Sequence, residues 1–341
     1  MSQKVVATYF LKGGDFRKEI IEKSGAEFVI APCQNGDQII AAAKEADAIV
    51  TASTFQPFTK EIIQRLEKVR HISSMGVGVD NIDLAAATKK RIVVTNTPFY
   101  CIDEVSDHAM ALILALSRKL FPIDKAAKAL RWRSNDHGVI REVLQPLKRL
   151  RGQTLGLIGF GNIAKTLVPK AKGFGLNVIA YDHSTPKEKM KVHFGVEKVG
   201  FEDLLKRADF VSLHVNLTPQ NKKMFKEEHF RLMKPTAYFI NTARGALVDE
   251  GALVMALTEK LIAGAGLDVM EHEPPWPNNP LLKMENVIIT GHFAQYSDDS
   301  EEELWRIPLE EVVLTLSGKF PRFAVNQEVK SKWLKKYASP D

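Results

Sequence analysis

The sequence predicts an α/β fold of two domains, each a parallel sheet with helices on its faces. Three observations predict it. At 341 residues the chain is long enough for two separate cores. Short apolar runs alternate with helically spaced ones through the first hundred residues, the rhythm of a parallel sheet. A second series of the same kind begins at Gln153 and opens on a glycine-rich turn.

Along the chain, "VVATYF", "FVI", "AIV" and "RIVVTN" read as strands. Between them "DFRKEIIEKSG", "DQIIAAAKEA" and "KEIIQRLEKV" carry apolar residues at helical spacing, and Gly25 closes the first. A long, mostly buried helix is expected over 103–120, followed by an irregular charged excursion over 131–149. "TLGLIGFG", "NVIAYD", "FVSLHV", "AYFINTA", "GAGLDV" and "NVIIT" are the strands of the second series. One amphipathic helix follows Ser297, with Pro308 placed to kink it. The densest basic run, "KSKWLKKY" at 330–337, reads as a solvated tail.

Composition narrows the function classes. Hydrophobic residues make up 45% and charged residues 26%, as in ordinary globular domains. No stretch approaches the ~20 apolar residues of a membrane span, and the N-terminus, "MSQKVVATYFLKGGD", reads as a first strand rather than a signal peptide. Two cysteines, Cys33 and Cys101, cannot build a disulfide framework, so a reducing cytoplasm is expected. A net charge of +6, with basic and acidic residues interleaved, suits anionic small molecules at least as well as nucleic acid. No basic motif with interleaved aromatics and no helix-turn-helix signature supports nucleic-acid binding. The histidines lack metal-ligand spacing, and no metal is expected.

The most specific passage is Gly159-Phe160-Gly161-Asn162-Ile163-Ala164, a G-x-G-x-x-A turn that follows a strand and opens a helix. Gly159 permits the tight turn, and Gly161 lets backbone approach a pyrophosphate. The helix start, Asn162-Ile163, offers unpaired N–H groups to that anion. Ala164 keeps the third position small. The next strand ends in Asp182, about 20 residues on, where a carboxylate binds both ribose hydroxyls and repels a 2′-phosphate. NAD(H) is therefore the expected cofactor.

Three ionisable residues then follow at strand exits: Arg244, Glu273 and His292. Ligands of open α/β sheets bind outside the carboxyl ends of strands. Hydride transfer to a carbonyl leaves negative charge on oxygen, and a protonated His292 can neutralise it. Glu273 is the candidate carboxylate favouring that protonated form, with Glu271 and His272 as competitors. Arg244 can hold a substrate carboxylate through two parallel hydrogen bonds, or hold the carboxylate and polarise the adjacent carbonyl.

The stretches "GVGVDNIDLAAATKKRIVVTNTP", "LRGQTLGLIGFGNIA", "MKPTAYFINTARGALVDEGAL" and "GLDVMEHEPP", with the late histidine, resemble the D-isomer-specific 2-hydroxyacid dehydrogenase family. The resemblance spans nearly the whole chain. It implies two Rossmann-like domains: a flavodoxin-like substrate domain, 1–102 and 298–341, with an NAD-binding Rossmann domain, 103–297, inserted into it. It places the family's Arg, Glu and His on Arg244, Glu273 and His292. Thr242 and Asp268 are implied to meet the cofactor, Asp268 through the carboxamide, and Val77 and Gly78 to offer N–H groups to the substrate carboxylate. The implied activity is interconversion of a 2-oxo acid and a D-2-hydroxy acid, and the helix over 103–120 with its excursion implies a homodimer.

Departures bear on the substrate. Gly291 stands where the family usually has Pro. Ser74 stands where 3-phosphoglycerate dehydrogenases carry arginine, which weakens that alternative. The C-terminal part is similar to the branch of the C-terminal-binding-protein corepressors, so an NAD(H)-sensing scaffold is a further alternative. Gln295 replaces that branch's tryptophan. Formate dehydrogenases carry Gln where Glu273 stands. Phe55, Met75, Phe99, Tyr100 and Phe293 hint at an apolar substrate substituent.

Overall fold

The computed structural model describes residues 2–10, 16–135, 141, 144 and 146–338. The Gly13-Gly14 break and part of the 131–149 excursion lie outside them. The chain forms two compact units, Met1–Cys101 with Ser297–Asp341, and Ile102–Tyr296.

In the first unit β1 (Lys4–Ala7), β2 (Glu27–Ile30), β3 (Ala48–Thr51), β4 (His71–Ser74) and β5 (Val93–Thr95) form a parallel sheet in the order β2-β1-β3-β4-β5. That order is the flavodoxin-like one. Helices Gly36–Ala43, Lys60–Arg65 and Leu84–Lys90 begin at Asn35, Thr59 and Asp83, whose side chains accept a first-turn N–H. Each such cap is worth ~1 kcal/mol. Ile39, Ile63 and Ile72 fill the core on one face of the sheet. Helix Asp298–Leu316 brings Trp305, Leu309 and Val312 against Val5, Ala7 and Val50 in the other core, so the end of the chain completes the first unit.

Strand β4 has no apolar signature, and the sequence pattern does not predict it. It is nonetheless wholly buried, because its polar side chains find partners. His71 Nε2 lies 2.8 Å from Thr95 Oγ1 and Nδ1 lies 2.9 Å from Thr315 Oγ1. Ser73 donates to the Pro308 carbonyl at 3.1 Å. Burial, with the nearby Arg70 charge, pushes His71 down to about 3, so it is neutral. The basic run at the C-terminal end also departs from expectation. It forms helix Lys330–Tyr337, pinned by a fully buried Trp333 whose indole N–H donates to the Arg70 carbonyl. One indole anchors the turn while the lysines keep their charges in water.

In the second unit, β6 (Thr154–Ile158), β7 (Asn177–Tyr181), β8 (Glu197–Lys198), β9 (Phe210–Leu213), β10 (Tyr238–Asn241), β11 (Gly264–Leu267) and β12 (Val287–Ile289) form a second parallel sheet. Its order is β12-β11-β10-β9-β6-β7-β8. The two-residue edge strand β8 is not legible in the sequence. Helix Ile102–Ser117 packs Ala109, Leu112, Ile113 and Leu116 into the core around β6. It ends three residues before the expected Leu120, because Lys119 turns left-handed at φ 50° and starts a separate helix, Leu120–Lys128. No described helix is long and apolar enough to cross a membrane.

Candidate active site

Because every strand of the second sheet is parallel, all carboxyl ends emerge along one edge. From β6 the chain first builds outward through β7 and β8, then returns to β9 on the other side, which makes the β6/β9 gap the switch point where ligands bind. Gly159 sits there at φ 92°, and a Cβ on it would fall into the His214 carbonyl group, so no other residue fits. At Gly161 no atom stands within 4 Å of where a Cβ would be. The helix Asn162–Gly173 that follows has no side-chain cap, leaving the N–H groups of Asn162 and Ile163 for an anion.

Asp182, at the end of β7, is fixed by its own loop. Oδ1 accepts from Ser184 N–H at 3.0 Å and Thr185 N–H at 2.6 Å, and Oδ2 accepts from Phe160 N–H at 3.1 Å. Burial pushes this carboxyl up, but these hydrogen bonds outweigh it and hold it below the usual range. The Asp182 carboxylate is thus held ionised near neutral pH at the end of β7.

Arg244, Glu273 and His292 follow the adjacent strands β10, β11 and β12. His292 Nδ1 lies 2.6 Å from Glu273 Oε2, and Glu273 Oε1 accepts the Met270 N–H at 2.9 Å. Burial pushes Glu273 up, but the His292 hydrogen bond and charge, the Met270 N–H and the Arg244 charge together hold it below the usual carboxylate range. An ionised partner on Nδ1 fixes the ring and leaves Nε2 to exchange a proton. The competitor Glu271 is turned to Lys223, 3.0 Å away. His272 packs on Trp276, with ring centroids 5.4 Å apart.

Asp268, 2% exposed, accepts from Thr290 Oγ1 at 2.6 Å and Phe293 N–H at 2.9 Å through Oδ1, and from Ala294 N–H at 3.1 Å through Oδ2. One lone-pair direction on Oδ2 is left for a further donor. The hydroxyl of Thr242 is buried and has no hydrogen-bond partner among the described residues. In the first unit, the Val77 carbonyl accepts from Asn96 Nδ2 at 2.7 Å and the Gly78 carbonyl from Ser53 Oγ at 3.0 Å. Both carbonyls are thereby engaged, while neither N–H makes a hydrogen bond among the described residues. Met75 is buried, whereas Phe55, Phe99 and Phe293 are exposed.

Two contributors escape sequence reading. Asn241 accepts the Ala243 N–H at 3.0 Å and donates to the Arg244 carbonyl at 2.9 Å, fixing the backbone that carries the arginine. Gly245 lies so close to the Met270 carbonyl that any Cβ would collide with it. Its only sequence signal is its place beside Arg244. Gly291 and His292 both lie in the left-handed region, at φ 66° and 67°. A proline, locked near φ −65°, has no place in that loop conformation.

The uncapped helix start, the open space at Gly161 and the orphaned Thr242 hydroxyl fit a dinucleotide at this edge. A proton-exchanging pair with a fixed cation nearby completes what hydride transfer to a carbonyl requires, so the class is a nicotinamide-dependent dehydrogenase. Comparison with known proteins narrows the class. The profile of the D-isomer specific 2-hydroxyacid dehydrogenase NAD binding domain matches residues 110–294. A glyoxylate reductase of Thermococcus litoralis is 40% identical over 290 residues, 84% of this chain and 85% of that one. A D-3-phosphoglycerate dehydrogenase of Methanocaldococcus jannaschii is 38% identical over 310 residues, 90% of this chain and 57% of that one. The crystal structure of a glyoxylate reductase from Paecilomyes thermophila superposes with a TM-score of 0.84 at 26% identity, covering 96% and 99% of the two chains. The chain belongs to the D-isomer-specific 2-hydroxyacid dehydrogenase family. It is an NAD-dependent oxidoreductase acting on 2-hydroxy acids.

Proposed function

We propose that the chain reduces a small, unphosphorylated 2-oxo acid of the glyoxylate or hydroxypyruvate class to the D-2-hydroxy acid. The observation that carries this reading is the 2.6 Å contact between His292 and Glu273 with the Arg244 charge beside it. When bound, the nicotinamide supplies the hydride. His292 gives its Nε2 proton to the nascent alkoxide, and Glu273 stabilises the imidazolium through Nδ1. Arg244 grips the substrate carboxylate as a planar fork. In the first unit, the Val77 and Gly78 N–H groups are suited to receive a carboxylate. Gly161, Asn162 and Ile163 hold the pyrophosphate, Asp182 the ribose, and Thr242 and Asp268 the nicotinamide end.

The unphosphorylated class is supported by Ser74, which is wholly buried and hydrogen-bonded to Ser53 at 2.8 Å, so that position offers a phosphate no cation. Several relatives are glyoxylate reductases. We assign the protein to the cytoplasm on its two free cysteines. A homodimer is supported by a groove of about 940 Å³ in the second unit, lined by apolar side chains that include Phe210, Tyr238 and Ile262 and reaching Thr290 at the end of β12. Phe121, Leu130 and Trp132 are exposed in the same unit.

The test is NADH oxidation by the purified protein with glyoxylate, hydroxypyruvate, phenylpyruvate and 3-phosphohydroxypyruvate. Turnover is expected on an unphosphorylated acid and should be lost in His292→Ala with NADH affinity kept. Preference for the phosphorylated acid would overturn the substrate class. Tight NADH binding with no turnover on any acid would favour the sensing scaffold.

A further inference from the structure

We infer that His108 and Thr290 are positioning residues for His292, acting through the buried carboxylate of Asp268. The inference rests on the reading of His292 as the proton donor. It begins with strain: His292 is not a glycine, yet sits at φ 67°. L-residues adopt that region only at a steric cost, so the loop needs an external hold.

Asp268 supplies the hold. Its carbonyl accepts the His292 N–H at 2.6 Å, and its carboxylate accepts the N–H groups of the next two residues, Phe293 and Ala294. Three consecutive N–H groups therefore converge on one residue. The direction of that carboxylate sets where the His292 ring stands.

What fixes the carboxylate lies outside the loop. A carboxylate only accepts, so the Thr290 hydroxyl must spend its single proton on Oδ1 at 2.6 Å. Its oxygen is then left as the acceptor for His108 Nε2, 2.8 Å away. His108 must therefore carry its proton on Nε2, which also lies 3.8 Å from Asp268 Oδ1. The chain of groups runs from His108 to Thr290 to Asp268 to the His292 loop.

The fold explains how a helix residue reaches this point. Gly266 has no side chain, so helix Ile102–Ser117 lies close to β11, with Leu112 Cβ 3.1 Å from where a Cβ on Gly266 would stand. Asp268 is two residues beyond Gly266 on the same face, ~6.6 Å along a strand. His108 is four residues before Leu112 on the same helix face, ~6 Å along a helix. The two spacings match, so helix and strand run antiparallel and set the imidazole beside the carboxylate.

The experiment compares Thr290→Val, Thr290→Ser and His108→Phe with wild type and with His292→Ala, under saturating NADH and 2-oxo acid. Thr290→Val keeps the shape and removes the hydroxyl, and should lower kcat by about tenfold or more while the NADH dissociation constant stays within about threefold. Thr290→Ser restores the hydroxyl and should restore kcat. His108→Phe should lower kcat similarly, and the double variant Thr290→Val with His108→Phe should be no worse than the poorer single one, because both break one chain. A Thr290→Val enzyme with wild-type kcat would overturn the inference. So would a Thr290→Ser enzyme as slow as Thr290→Val, since packing alone would then explain the loss. If His292→Ala itself turns over normally, the proton-donor reading falls instead.

Discussion

Gly245 and Arg244 show how far a neighbour without a side chain decides the work of one with a charge. Arg244 reaches its place because the backbone after it passes directly against the Met270 carbonyl, which admits no Cβ at Gly245. The loop on the other side of that contact delivers Glu273, through the Met270 N–H that its carboxylate accepts. Gly245→Ala must push these loops apart, and a misplacement of ~1 Å in a reacting constellation costs on the order of 100-fold. We expect kcat/KM for 2-oxo acid reduction to fall by about that factor, with Tm and NADH affinity measured alongside to show an intact fold. An alanine variant with wild-type kcat/KM would show that the close approach does not govern the arginine. The contrast marks what sequence reading captures at this scale. Arg244, Glu273 and His292 can be picked out because their chemistry is in their side chains. Gly245 and Asn241 act through backbone geometry, and His108 and Thr290 through partners distant in sequence. None of those four has a local signature.

Strand β4 makes the same point for an element. Strands such as β3 and β6 are legible because parallel strands buried on both faces are runs of apolar residues. His71-Ile72-Ser73-Ser74 is equally buried, but it hides its polarity in hydrogen bonds to Thr95, Thr315 and Pro308. Hydropathy cannot see those partners. The edge strand β8 escapes for a different reason: two residues are too few to show any period. The arrangement around β4 has a consequence for pH. His71 is pushed from 6.5 to about 3 in the folded chain, so below pH 6.5 the unfolded chain takes up a proton that the folded chain refuses. Its contribution is complete above pH 6.5 and is lost as pH falls toward the folded value. From pH 6.5 to about pH 5 the loss is about 2 kcal/mol at ~1.4 kcal/mol per pH unit. Urea unfolding between about pH 7.5 and about pH 5 should therefore show a smaller drop in His71→Gln than in the wild type. Equal drops would mean that His71 is not the group responsible.

At the scale of the whole molecule the two units differ in how the chain builds them. The second is continuous, Ile102–Tyr296, and holds Gly159, Asp182, Thr242 and Asp268 together with their supports. The first is assembled from both ends of the sequence, and the helix Asp298–Leu316 supplies Trp305, Leu309, Val312 and Leu316 to its core. Burying a large apolar side chain contributes roughly 1.5–3 kcal/mol, so losing four removes on the order of 6–12 kcal/mol. That equals the whole stability of an ordinary domain, about 5–15 kcal/mol. Deleting residues 297–341 should therefore unfold the first unit and leave the second with its own core. The truncated chain is expected to bind NADH, read by nicotinamide fluorescence, within about tenfold of the full chain's affinity. It should turn over no 2-oxo acid, because Val77 and Gly78, proposed above as substrate-binding, belong to the unit that is lost. Hydrogen exchange separates the two halves of this expectation: amides of β1 to β5 should lose protection while those of β6 and β9 keep it. Protection retained in β1 to β5 would mean that the first sheet stands without its last helix, and that Trp305, Leu309, Val312 and Leu316 cover a core already stable beneath them.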